Sequence, residues 1–230
     1  MPEGPSKTAE YVATFRAVES ARPEGERLFS DPYAASFLDG KLRLGAALAR
    51  NGMGQRLVCR YIDRNWPGSR PSAVIRTRLI DDAVTAAIEG GAEQLAILGA
   101  GYDTRGLRLP AAREIPVFEL DQPPTQERKK QRLRARDGDL PSNVTYVPFD
   151  LLDEGVGAPL ERAGFRTGLK SVYIWEGVLS YLTPEAVDQT LAWITASGAP
   201  GSRLVYTYVD VALLKQGGED EPPWSSQVAK

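Results

Sequence analysis

The chain has 230 residues, enough for one large domain or for a domain with a small accessory segment. A hydrophobic fraction of 42% and a charged fraction of 25% are ordinary for a globular protein, and a net charge of -2 argues against general attraction to nucleic acid or anionic membrane surfaces. Histidine is absent, which removes Ser-His-Asp and Cys-His catalysis, histidine general bases and the usual zinc sites in one step.

The start, Met1 to Glu10, is polar and unlike a signal peptide, and no apolar run approaches the roughly 18–20 residues of a membrane span. The single cysteine, Cys59, excludes an internal disulfide and reads as a small, inert apolar residue. A reducing, cytoplasmic setting is therefore expected.

The first ninety residues read as helical and loop-linked. Asp31-Pro32 is expected to open a turn or helix with Pro32 at the first helical position. A longer helix is predicted over Ser72–Glu89, with Leu79, Ala83 and Ala87 on one stripe and Ile80, Val84 and Ile88 on the next. Gly90-Gly91 ends it. The pattern then changes to short apolar runs, predicted as strands at Gln94–Leu98, Ile115–Leu120, Val144–Phe149, Val172–Trp175 and Arg203–Val209. Helices are predicted between them at Pro124–Arg136 and Pro184–Ala196, the latter with Thr183 as its cap and Gly198 and Pro200-Gly201 as its stop. Alternating strands and helices imply a doubly wound parallel α/β sheet over residues 91–230, with residues 1–90 as a helical cap or lid. No strand pair is visible after Val209. A sheet that ends on Arg203–Val209 exposes an apolar edge, expected to be covered by a partner subunit in a homo-oligomer, by the tail or by the cap.

The first predicted strand runs directly into Leu98-Gly99-Ala100-Gly101. Glycines at a strand-to-helix turn let backbone approach a ligand, and the helix start behind them favours anions. Asp121 follows Gly101 by 20 residues, at the end of the second strand, a placement suited to ribose hydroxyls. Alone, this pattern leaves nicotinamide cofactors and S-adenosylmethionine both open. Thr104 stands where the dinucleotide fingerprint has its third glycine, and there is neither a histidine nor a Tyr-x-x-x-Lys pair for hydride transfer, which favours the second.

Five segments occur in order: Phe29-Ser30-Asp31-Pro32-Tyr33-Ala34, Arg76-Thr77-Arg78, Leu98 to Arg105, Phe118-Glu119-Leu120-Asp121-Gln122-Pro123 and Glu176 to Leu182. Together they resemble the leucine carboxyl methyltransferase family, in particular bacterial members acting on small molecules and polyketides, over about residues 8–212. The resemblance implies a Rossmann-like class I methyltransferase sheet, with S-adenosylmethionine as cofactor and a small-molecule substrate; the C-terminal strand hairpin usual in that fold is a point where this sequence departs from the pattern. By the same resemblance, Arg76 pairs with the cofactor's methionine carboxylate, and Gly99, Ala100 and Gly101 line the cofactor. Asp121 holds the ribose, Asp150 and Leu151 recognise adenine, and Glu176 faces the cofactor's amino group.

Tyr181 is a candidate for the substrate edge, acting mainly by positioning, with a buried packing role as the other reading. The basic run Arg128, Lys129, Lys130, Arg132, Arg134 and Arg136 reads as a solvated helix face, and Trp66, Trp175 and Trp193 as core. A carboxylate acceptor is already ionised near pH 7 and needs no base, whereas a phenol, with pKa near about 10, wants one. A chain without histidine therefore leans toward carboxyl O-methylation, with phenols next. The competing class is a methyltransferase-like protein that binds without turnover.

Overall fold

The computed structural model describes residues 4–149 and 155–209. The chain opens with α1 (Lys7–Ser20), a 3-10 turn (Ala34–Phe37), α2 (Gly40–Leu48), α3 (Gly52–Asn65) and α4 (Ser69–Glu89). It continues with β1 (Gln94–Leu98), short α5 (Arg105–Arg108) and α6 (Pro110–Arg113), β2 (Val117–Asp121), α7 (Pro123–Asp137) and β3 (Val144–Pro148). Then follow α8 (Gly157–Arg162), β4 (Ser171–Trp175), α9 (Pro184–Ser197) and β5 (Arg203–Tyr206). None of the described helices is long and apolar enough to cross a membrane.

The strands form one parallel sheet in the order β3-β2-β1-β4-β5. Side-chain alternation explains why every residue of β1 and β4 is buried. Leu95, Ile97, Val172 and Ile174 point to the face covered by α1, α4 and α7, where Ala13, Val84 and Leu133 complete the core. Ala96, Leu98, Tyr173 and Trp175 point to the other face, under α8 and α9. The expected doubly wound α/β sheet is present.

Several boundaries and faces differ from the sequence reading. Pro32 is not helical: Asp31 Oδ1 accepts the N–H groups of Tyr33 and Ala34, both at 3.0 Å, and the 3-10 turn begins two residues later. On α4, Ile80 and Val84 are buried with Ala73, Thr77 and Ala87, while Leu79 is 63% exposed, because the buried face centres on Ile80 and Val84 and takes in only Ala87 of the neighbouring stripe. The α7 basic face is not simply solvated. Lys129 is fully buried on Glu119 (Nζ–Oε2 2.5 Å), and Arg128 and Arg132 both reach Asp39. Those carboxylates come from other elements, so helix periodicity alone could not reveal them. At the sheet's far side β5 pairs with β4, α4 packs on its face, and no second strand neighbours it among the described residues.

Candidate functional site

Strands β1, β2 and β3 step one way across the sheet, and β4 and β5 step the other. The reversal opens a crevice at the carboxyl ends of β1 and β4, where a ligand can meet backbone and side chains from both halves. The glycine loop leaves β1 at this point and Glu176 leaves β4.

Gly99 and Gly101 have φ of 69° and 50°, in the left-handed region that suits glycine. A Cβ on Gly99 would lie 2.4 Å from a Val178 methyl, so the loop also needs glycine for its approach to the segment after β4. Ala100 is buried, and its N–H continues the sheet to Leu120 O at 2.8 Å. Asp121, at the end of β2, accepts the N–H of Gly101 on Oδ2 and that of Gln122 on Oδ1 (2.6 Å). Burial pushes the Asp121 carboxyl above its usual range, against the opposing N–H groups of Gly101 and Gln122. Each of its oxygens keeps lone-pair capacity for a ligand hydroxyl.

On the other side of the loop, Arg76 from α4 donates Nε–H to Glu176 Oε1 at 2.7 Å. Its two terminal nitrogens have no protein partner among the described residues, and its side chain is 29% exposed. That leaves the outer fork of the guanidinium able to grip a carboxylate. Arg105 Nη1 donates to Glu176 Oε2 at 2.9 Å. Burial pushes Glu176 up, but the Arg105 and Arg76 guanidiniums outweigh it and hold the carboxyl below its usual range. An ionised carboxylate here can accept an ammonium as well.

Sequence reasoning missed the buried network behind this pair. Arg105 is 1% exposed and also binds Asp81 (Nε–Oδ1 2.8 Å) and Asp103. Arg108 grips Asp81 with both terminal nitrogens at 2.7 Å. Asp31 Oδ2 accepts the Thr104 hydroxyl at 2.8 Å and lies 3.0 Å from Arg16 Nε, while Arg16 Nη2 donates to Tyr102 O at 2.5 Å. The cap is thereby tied to the glycine loop.

The structure thus brings Arg76, Gly99, Ala100, Gly101, Asp121 and Glu176 to one crevice. Asp150 and Leu151 lie outside the described residues. Tyr181 ends a 3-10 turn just past Glu176 and is 47% exposed, so it is not a buried packing residue. Beside Arg76, a cavity of about 430 Å³ opens between α4 and β5, walled by Ile75, Leu79, Val205 and Tyr206.

Comparisons with known proteins agree with this architecture. The family described as leucine carboxyl methyltransferase matches residues 9–195. A relative from Mycobacterium sp. (strain KMS) is 45% identical over 229 residues, covering 93% of this chain and 69% of that protein. One from Mycolicibacterium gilvum (strain PYR-GCK) is 35% identical over 215 residues, covering 88% and 65%. Both are provisionally named S-adenosyl-L-methionine-dependent methyltransferases, and this chain spans about two thirds of their length. A crystal structure provisionally named a methyltransferase, from Thermobifida fusca, shares the fold with a TM-score of 0.51 at 22% identity, over 81% of this chain and 70% of that one. The chain belongs to the leucine carboxyl methyltransferase family.

Proposed function

We propose that this chain binds S-adenosylmethionine in the crevice around Gly99–Gly101 and transfers its methyl group to an oxygen of a small molecule, a carboxylate first and a phenol second. The observation that carries the reading is the Arg76–Glu176 pair, in which one guanidinium edge is spent on the protein and the other is left for a ligand carboxylate. The rest of the crevice has matching chemistry. Glu176 offers anionic charge to the cofactor's ammonium, Asp121 offers acceptors to a ribose diol, and the glycines admit the ligand to backbone distance. Names carried by the relatives point the same way.

When bound, the cofactor supplies an electrophilic methyl on a sulfonium; the acceptor oxygen forms the new bond as the carbon–sulfur bond breaks. The protein's part is alignment and exclusion of water, worth up to roughly 7–11 kcal/mol when both reactants are held in line. Arg105, locked by Asp81, Asp103 and Glu176, keeps the Glu176 carboxylate fixed and ionised. We assign to Tyr181, exposed five residues after Glu176, the role of touching the acceptor and positioning it. A carboxylate acceptor needs no proton removed, which suits a chain without histidine.

The test is transfer of labelled methyl from the cofactor to panels of small carboxylates and phenols. Label in the carboxylate panel supports the reading, and label only in phenols moves it to the second acceptor class. Cofactor binding with transfer to neither panel would leave a binding protein and refute O-methylation.

A further inference from the structure

A cavity of about 790 Å³ lies apart from the glycine loop, between α1, the Ser30-Asp31-Pro32 segment, α2 and the last turns of α7. Its walls include Ala17, Ala35, Ala46 and Ala135, and four arginines line it: Arg43 from α2, Arg50 from the turn that follows α2, and Arg132 and Arg136 from α7. On α7, positions four apart fall on one helix face, so Arg132 and Arg136 turn toward the same hollow. Across from them, Arg43 extends from α2 and Arg50 from the turn after it.

The charge around the cavity is unbalanced. Among the described residues Asp31 is the only carboxylate in its lining, and its oxygens are committed to Tyr33 N–H, Ala34 N–H, the Thr104 hydroxyl and Arg16. Arg132 is answered by Asp39, though its Nε is buried without a partner, and Arg136 lies 4.2 Å over the Tyr33 ring and pairs with Asp137. The side chains of Arg43 and Arg50 have no hydrogen bond or ion pair among the described residues. In a chain of net charge -2 this local excess does not reflect general basicity. Like charges gathered around one hollow repel unless an anion joins them.

We propose that this cavity is a binding site for a small organic oxyanion, a phosphate or carboxylate on a compact apolar body. Guanidinium forks from α2, the turn after it and α7 take the head group, and the alanine walls take the body. The volume lies within the usual range of about 300–1,000 Å³ for small-molecule sites. Asp31 separates the cavity from the glycine loop, so the site is distinct from the cofactor crevice and the inference does not depend on methyl transfer.

Calorimetry on the full chain, with phenyl phosphate, benzoate and neutral benzyl alcohol at constant ionic strength, tests it. The expected result is binding of at least one anion and none of the alcohol, weakened tenfold or more in Arg43→Gln/Arg50→Gln. Both arginines are exposed and their side chains have no partner among the described residues, so the double variant should melt with the wild type. The preferred anion assigns the head group. Absence of binding by either anion, equal binding of the alcohol, or unchanged affinity in the double variant would overturn the proposal.

Discussion

Arg76 donates Nε–H to Glu176 Oε1 at 2.7 Å, joining α4 to the end of β4 across one hundred residues of sequence. This pair is why the crevice holds a fixed carboxylate beside an available guanidinium edge. Replacing Arg76 by Ala should weaken S-adenosylmethionine binding by roughly ten- to a hundredfold, since hydrogen bonds to charged groups contribute about 1.5–3 kcal/mol. Lys at that position keeps the charge but loses the fork, and should recover only part of the affinity. Calorimetry on both variants checks this, and wild-type affinity in Arg76→Ala removes Arg76 from the site.

Gly99 is constrained twice, by its φ of 69° and by the Val178 methyl 2.4 Å from where a Cβ would sit. Gly99→Ala should destabilise the fold by about 1–2 kcal/mol for the left-handed backbone and about 1–3 kcal/mol more for the clash. Adding Val178→Ala should return the steric part and leave the backbone part. A double-mutant cycle by urea unfolding reads this coupling, and additive losses would show that the two residues do not meet.

The buried Asp103 carboxyl is pushed up by burial but held at about 2 by Arg105 and the more distant Lys129 and Arg16, below its ordinary 3.8. A depressed folded-state pKa contributes stability above the unfolded value and loses it as pH falls toward the folded one. The window is therefore about pH 4 down to pH 2, and the contribution is about 2 kcal/mol. Asp103→Asn should be less stable at pH 6 and lose less on acidification than the wild type. Stability curves that stay parallel from pH 6 to pH 2 would contradict this.

Glu119 behaves in the opposite sense. Burial pushes its carboxyl up to about 7 from 4.5, with Lys129 opposing. Its folded state prefers the proton, so its contribution is full below about pH 4.5 and fades as pH rises through 7. Relative to Glu119→Gln, the wild type should lose stability over that interval. Lys129→Met leaves the buried carboxylate unpaired and should cost about 3–5 kcal/mol near pH 8. Chemical unfolding at pH 5 and pH 8 measures both effects, and a pH-independent difference between wild type and Glu119→Gln would rule out the titration.

Strand positions were legible because a sheet buried on both faces writes short apolar runs: β1 begins and ends where the run Gln94–Leu98 does. The crevice was legible too, since Gly99, Gly101 and Asp121 sit at spacings that a strand–turn–helix unit demands. The charges beneath it were not. Arg105 of α5 meets Asp81 of α4, and Thr104 meets Asp31 from the segment before the 3-10 turn; only the folded chain brings these side chains within hydrogen-bonding reach. Lys129 shows the same limit: on a helix of six basic residues, nothing local distinguishes the one that faces Glu119 inside the core.

The central claim is that the Gly99–Gly101 crevice holds S-adenosylmethionine through its surrounding carboxylates and Arg76. The most direct measurement is calorimetry of S-adenosylmethionine with the wild type and with Asp121→Ala, each first shown to be folded by thermal melting. Saturable binding by the wild type, weakened at least tenfold in the variant, is the predicted result. No binding by the folded wild type, or equal affinity in Asp121→Ala, would contradict the account.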